Sequence, residues 1–198
     1  MYLLNNRGHN KYNYRPSMRQ QSLMMPIQHM PSIHANDEPV VSVPKPRVKE
    51  MLWGEPTWFL FHTLAEKIKE SEFSTLRQEF LNHILKICNN LPCPTCAQHA
   101  TQYMNSVNFN NIQTKEQLKL FLFAFHNSIN KRKDYESFHV NELSKYSEAV
   151  TVNIVRNFFH HFSKRSYNVR MAVDNMHRQK MLKEFRVWLE EHVYSFYE

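Results

Sequence analysis

Trp53-Gly54-Glu55-Pro56-Thr57-Trp58-Phe59-Leu60-Phe61-His62-Thr63-Leu64-Ala65 decides the fold class. Trp53 to Trp58 reads as a turn entering a helix. Trp58, Phe61, His62, Ala65 and Ile68 then fall at i, i+3, i+4, i+7 and i+10, on one helical face. Further along, Thr75 with Gln78 forms a capping-box pattern and predicts a helix from about Thr75 to Cys88, with Leu76, Phe80, Ile84 and Cys88 as its stripe. Thr114 with Gln117 repeats that pattern and opens a helix from about Lys115 to Arg132, whose apolar face carries Leu118, Leu122, Phe125 and Ile129.

Between them lies Leu91-Pro92-Cys93-Pro94-Thr95-Cys96-Ala97-Gln98-His99. Pro94 suits the first helical position, where its missing N–H costs nothing, so Cys93 is the expected N-cap of a short helix reaching about Met104. After an Asn-rich loop, Asn105 to Asn111, and from about Asn141 onward, two amphipathic segments follow. One carries Val155, Phe158, Phe159 and Phe162, the other Met181, Leu182, Phe185, Trp188 and Leu189. No strand pattern or repeat emerges, and only two glycines, Gly8 and Gly54, occur in 198 residues. Hairpins and sharp βα turns want glycine, so the expected class is all-α.

The chain is long enough for one ordinary domain plus tails, and 42% hydrophobic residues can build a core. Residues 1–48 are rich in Asn, Met, Pro, Gln and Arg without a period, and read as a disordered tail. Met1 to Arg7 has no apolar h-region, which argues against a signal peptide. The longest apolar run, Leu120 to Phe125, is far short of the roughly 20 residues of a membrane span. A net charge of +7 suits an anionic ligand, although a solvated basic surface accounts for the sum equally well and gives no specific ground for nucleic acid. Three cysteines are too few for a disulfide scaffold. The expected setting is reducing, where a C-x-x-C is catalytic or metal-binding more often than structural.

Cys93 and Cys96 leave two readings open. Haem attachment needs His directly after the second cysteine, and position 97 is Ala. A thioredoxin-like site needs a βαβ context. What remains is a redox dithiol, or a Cys₃His zinc site made of Cys88, Cys93, Cys96 and His99. Spacing favours redox, because the four candidate ligands fall within twelve consecutive residues and Cys88 continues an apolar stripe. Trp58 and His62 are i, i+4 on one helix; His126 and Asn130 are i, i+4 on another, with Asn127 adjacent and Lys131, Arg132 and Lys133 following. Singly, each has a bland reading as core aromatic, satisfied core histidine or dipole-complementing cation. Jointly they offer stacking faces, directional donors and positive charge for a flat nucleotide cofactor with a pyrophosphate.

These residues resemble the Erv/ALR family of FAD-linked sulfhydryl oxidases. The opening stretch is similar to W-G-x-x-x-W-x-x-L-H-x-x-A, Pro92 to Ala97 to P-C-x-x-C-A, and His126-Asn127-Ser128-Ile129-Asn130 to H-N-x-V-N. The order and spacing agree, over roughly residues 50 to 146. The resemblance implies a four-helix bundle with a short fifth helix binding FAD in 49–146, followed by a helical C-terminal extension, 147–198. It implies Cys93 as the thiol exchanging with substrate and Cys96 as its partner beside the flavin, kept as a low-pKa thiolate by the helix N-terminus. Gly54, Thr57, Trp58, His62, His126, Asn127, Asn130, Lys131 and Lys133 would bind the cofactor. The implied partners are protein dithiols or a separate small thiol shuttle protein, dioxygen reduced to hydrogen peroxide, and a second copy in a homodimer.

The departures are informative. Phe138-His139-Val140 stands where a cysteine of a structural disulfide is expected, and Asp134 and Tyr135 replace a usual Gly and Lys. No shuttle C-x-x-C occurs in either tail. In these respects the chain resembles the versions carried by large cytoplasmic DNA viruses, iridovirus-like, which implies action in the host cytoplasm and on virion proteins.

Overall fold

The computed structural model describes residues 51–164 and 171–196. The tail expected over residues 1–48 lies outside the described residues. The described residues form seven α-helices: α1 (Gly54–Lys67), α2 (Glu70–Asn89), α3 (Pro94–Asn105), α4 (Lys115–Arg132), α5 (Thr151–Phe162), α6 (Ala172–Glu191) and the single turn α7 (Val193–Phe196). Two 3₁₀ helices, Phe109–Asn111 and Val140–Tyr146, join them, and no strand occurs among the described residues. The fold is all-α, as expected. The short fifth element expected inside 49–146 is the 3₁₀ helix Val140–Tyr146.

Helix starts follow local chemistry where nothing overrides it. The Thr114–Gln117 capping box is formed, with Gln117 N–H donating to Thr114 Oγ1 (3.2 Å) and Thr114 N–H to Gln117 Oε1 (3.1 Å). The start expected at Thr75 is a correction, because α2 begins at Glu70 and Thr75 lies inside it. Phe73, 2% exposed, extends the Leu76–Phe80 stripe upstream, and Glu70 and Glu72 complement the helix dipole. Burial of Phe73 outweighs the local capping signal. The Ser195 carbonyl accepts from the Lys69 N–H (2.9 Å) at this new start.

Helix α1 is buried well beyond one face. Leu60 through Ala65 are buried without a break. Helices α4 and α5, the 3₁₀ helix Val140–Tyr146 and α7 surround it, while α3 and α6 pack on α2. Phe158 and Phe162 of α5 are fully buried, and Trp53 meets Phe162 edge-to-face at 6.4 Å. Helix α6 buries Met181, Leu182, Phe185, Trp188 and Leu189, and Trp188 Nε1 donates to Glu79 Oε2 of α2 (2.8 Å). One apolar core therefore runs from Leu60 to Phe196, through both the expected domain and its extension. No helix among the described residues is long and apolar enough to cross a membrane.

Truncating a fully buried phenylalanine forfeits its burial and leaves a cavity. Phe158→Ala should cost about 3–5 kcal/mol, read as a lower urea midpoint at unchanged m-value.

Candidate functional site

The start of α3 shapes the thiol pair. Cys93 is the N-cap in extended conformation, Pro94 is the first helical residue, and Cys96 N–H donates to Cys93 Sγ (3.3 Å). The sulfur takes the place of the usual Ser or Thr oxygen at an N-cap. Both cysteines are free thiols and half-buried. Burial is the largest influence on Cys96, followed by its hydrogen bond to the Cys93 sulfur and by charge on Cys93. Together they push it up to about 11 against the attraction of Lys133 and the backbone N–H. The expected low-pKa thiolate at Cys96 is thus corrected for the dithiol. Cys96 keeps its proton and shares it with Cys93, because desolvation outweighs the helix dipole at this depth.

The zinc alternative is corrected too. Among the described residues, no three His, Cys, Asp or Glu side chains converge to hold a metal ion. Cys88 is 1% exposed in the core face of α2, and burial drives its thiol strongly upward, so it packs as a small hydrophobe.

Trp58 and His62 of α1 meet His126 of α4. The Trp58 ring stacks on His126 at 4.0 Å and 11°. His62 Nε2 and His126 Nδ1 are 3.2 Å apart and share a hydrogen bond. Phe138 stacks on His126 at 4.6 Å, and Tyr146 stacks on His62 at 4.8 Å. Trp58 also contacts Phe125 (5.1 Å), which stacks on Tyr103 of α3 (4.8 Å), so aromatic contacts continue from the histidine pair to the helix that begins at Cys93. Burial, then the proximity of His126 and Lys145, lowers His62 to about 3. Burial, then Lys145, lowers His126 to about 4 against the pull of Glu142. Both imidazoles are therefore neutral at physiological pH. The Trp58 indole N–H has no hydrogen-bond partner among the described residues.

Other expected site residues have protein partners. Asn127 clamps the loop after α4, donating from Nδ2 to Phe138 O (3.0 Å) and accepting from Phe138 N–H (2.8 Å). Asn130 Nδ2 donates to Glu136 O (3.1 Å). Thr57 Oγ1 donates to Trp53 O (2.7 Å). The side chains of Asn127 and Thr57 thus hold the frame around the aromatic face. Asp134, at φ 56°, occupies the left-handed position just past α4, where glycine is favoured. Tyr135 N–H donates to Asn130 O (3.0 Å), closing that turn. Lys131 is exposed, whereas Lys133 is half-buried, contacts Met51 Sδ at 3.6 Å and lies close enough to attract a Cys96 thiolate. Gly54 opens α1, and a Cβ there would meet no atom within 4 Å.

Phe138, Tyr146 and Lys145 complete the wall and were not anticipated as site residues. Lys145 Nζ lies 5.2 Å from the Phe138 ring centroid and 5.4 Å from that of Tyr146. Their segment is 3₁₀ and aperiodic, so only the displacement of an expected cysteine by Phe138 marked it. A separate cavity of about 490 Å³ lies between α5 and α6, lined by Val155, Arg156, Phe159 and Arg186 among others, and contains none of the expected site residues.

The described residues thus combine an all-helical frame, a helix-capping pair of thiols and a wall of neutral aromatic and imidazole rings, with no cluster able to hold a metal ion. Residues 55–149 match the Erv1/Alr family model, and this part of the chain belongs to that family. A protein of Invertebrate iridescent virus 3 assigned by name to the FAD-linked sulfhydryl oxidases is 34% identical over 82 residues, covering 41% of this chain and 55% of that protein. The FAD-linked sulfhydryl oxidase of African swine fever virus (isolate Tick/Malawi/Lil 20-1/1983) is 29% identical over 105 residues, covering 52% of this chain and 86% of that protein. Its counterpart from isolate Pig/Kenya/KEN-50/1950 is 33% identical over 82 residues, covering 40% and 66%. The match thus spans little more than half of the iridescent virus protein. No solved structure gives a significant match.

Neutral histidines make the fold acid-sensitive. An unfolded chain protonates them near 6.5, whereas His62 resists until about 3 and His126 and His83 until about 4. The unfolded state then binds more protons, so stability is highest above pH 6.5 and is lost as the pH falls toward 4. At pH 5 His62 alone should cost about 2 kcal/mol. Tm measured from pH 7.5 to 4.5 should fall, and His62→Gln should shrink the drop.

Proposed function

We propose that this chain is an FAD-dependent thiol oxidase that makes disulfide bonds in protein dithiols and passes the electrons to dioxygen. The observation that carries the reading is the stack of Trp58 on His126 (4.0 Å), which aromatic contacts through Phe125 and Tyr103 link to the helix that begins at the C-x-x-C. The names of the viral relatives support the cofactor and the chemistry.

The residues fit a flavin. Trp58 and His126 supply flat surface, and the unpartnered Trp58 N–H and the neutral His62–His126 pair supply directional donors without charge. Lys131 and Lys133 suit a pyrophosphate. Asn127 and Asn130 fix the 135–138 segment that brings Phe138 onto His126. Gly54 leaves open space where a ligand can approach the backbone.

In the oxidised pair a substrate thiolate attacks Cys93 Sγ, the Cys93–Cys96 bond breaks, and Cys96 leaves as a thiolate that Lys133 stabilises. The second substrate thiolate attacks the substrate sulfur of the mixed disulfide, frees Cys93 and releases oxidised substrate. Held by these residues, FAD would supply a two-electron, two-proton acceptor for the reduced pair, with dioxygen reduced to hydrogen peroxide. The reading extends to an oxidase unit over 49–146 with a helical extension. It also covers a homodimer, and a substrate reached directly or through a small thiol shuttle protein. The reading further extends to action on virion proteins in the host cytoplasm, drawn from the viral source of the relatives and not from their names.

The purified protein should be yellow with about one FAD per chain, bleached anaerobically by dithiothreitol and restored by air. Cys93→Ser and Cys96→Ser should each cut dithiothreitol-driven oxygen consumption by at least about a hundredfold, while Cys88→Ser leaves turnover near wild type. A folded, colourless protein with no oxygen uptake overturns the proposal. Gly54→Ala separates fold from ligand: it should leave stability unchanged or raise it by up to about 1 kcal/mol of helix propensity, read as an unchanged or higher Tm, while lowering retained FAD. Full FAD retention removes Gly54 from the site.

A further inference from the structure

Arg178 is among the largest fully buried side chains, 2% exposed, on α6 and outside the family-matched residues. Its Nε donates to the Asn90 carbonyl (2.9 Å), and one terminal nitrogen donates to Asn175 Oδ1 (2.8 Å). No carboxylate forms an ion pair with it among the described residues. Burial lowers its pKa, and Asp174 offsets this only at a distance. Burying an unpaired guanidinium is costly, and a well-packed apolar residue generally does better for stability alone.

The carbonyl it serves is singular in position. Asn90 is the C-cap of α2, where helix carbonyls lack intrahelical partners, and it lies three residues before Cys93. Asn90 also donates from Nδ2 to Lys86 O (2.8 Å), and Thr101 of α3 donates to Asn89 Oδ1 (2.7 Å). The link Asn90-Leu91-Pro92 into the C-x-x-C is thus pinned at its first residue by α6 and spanned by a contact from α3.

We propose that Arg178 is a positioning residue for the Cys93–Cys96 pair. By fixing the Asn90 carbonyl, α6 holds the approach to the α3 N-cap and favours closure of the disulfide. Closure joins the two sulfurs and passes two electrons and two protons to an oxidant, here the disulfide of oxidised dithiothreitol, which becomes the dithiol. A pinned approach loses less conformational freedom on closing than a loose one. Releasing it gives freedom mainly to the dithiol, so the disulfide becomes easier to reduce. The inference rests on the thiol-oxidase reading in that it treats Cys93–Cys96 as a redox pair, but its readout needs neither flavin nor turnover.

The test uses full-length protein equilibrated across ratios of oxidised to reduced dithiothreitol. Thiols are trapped by alkylation, and the Cys93–Cys96 disulfide is quantified by peptide mass spectrometry. Arg178→Met, which cannot donate, should lower the disulfide equilibrium constant about tenfold, equivalent to about 30 mV. Arg178→Lys, retaining one donor, should recover part of that shift, and stands alone as the test if Arg178→Met does not fold. Phe185→Leu, a truncation on the same helix remote from Asn90, should lower Tm without moving the potential. Disulfide equilibrium constants within twofold of wild type for the Arg178 variants, or an equal shift for Phe185→Leu, overturn the positioning role. Failure of the wild-type pair to form a disulfide at any ratio overturns the thiol-oxidase reading itself, and this inference with it.

Discussion

Helix α1 is buried on all sides from Leu60 to Ala65, and the arrangement of the rest follows from it. A helix with one apolar stripe needs one neighbour. A helix with six consecutive buried positions needs a ring of them. Helix α4 covers the face that carries Trp58 and His62, and α5 covers another. Removal of either would expose contiguous apolar surface at the centre of the fold. Within 49–146, α4 and the 3₁₀ helix Val140–Tyr146 pack on α1, and α5 and α7, after residue 146, complete its enclosure.

The same constraint produces the site. Because α1 is enclosed, His62 is desolvated, and an imidazole in that position is neutral and needs a partner. His126 is that partner at 3.2 Å. The pair can exist only with α1 and α4 in one register, which also sets the Trp58–His126 stack. Asn127 then fixes the backbone of Phe138 with both halves of its amide, so one α4 segment orders the wall and the loop that closes it. A flat face of neutral rings beside a basic helix end is the electrostatic profile a nucleotide cofactor demands.

Legibility in the sequence tracked how local each determinant is. The Thr114–Gln117 box and the Cys93-Pro94 start depend on residues within one turn, and both were readable to the residue. The Thr75–Gln78 pattern had the same local form and was overruled by burial of Phe73, which depends on distant helices. Trp58 and His62 were legible as a pair because i, i+4 spacing puts them on one face of α1, whereas their meeting with His126 depends on how α4 packs. The tethering roles of Asn127 and Asn130 were not, since their partners are backbone groups of an aperiodic segment. Cys96 was misjudged for the same reason. Dipole position can be read from a helix start, but depth of burial and contact with the Cys93 sulfur cannot. Arg178, at the end of a contact 88 residues long in sequence, carried no local signal at all.

Phe138 shows how such a chain holds its site without an additional cross-link. It stands where the family resemblance implies a cysteine, and it is 6% exposed between His126, His62 and Phe123. Burial of one phenylalanine contributes about 1.5–3 kcal/mol, and the two Asn127 hydrogen bonds add roughly 1 kcal/mol each. That sum is comparable with the roughly 2–4 kcal/mol of a typical disulfide. It is also insensitive to thiol exchange. With Cys88 sealed in the core and Cys93 and Cys96 at the start of α3, the chain keeps its accessible thiol chemistry at one place. A structural disulfide near an active dithiol would be a competing target for the same attack. Aromatic packing and amide clamping close the loop at similar free energy while leaving only one sulfur pair able to exchange.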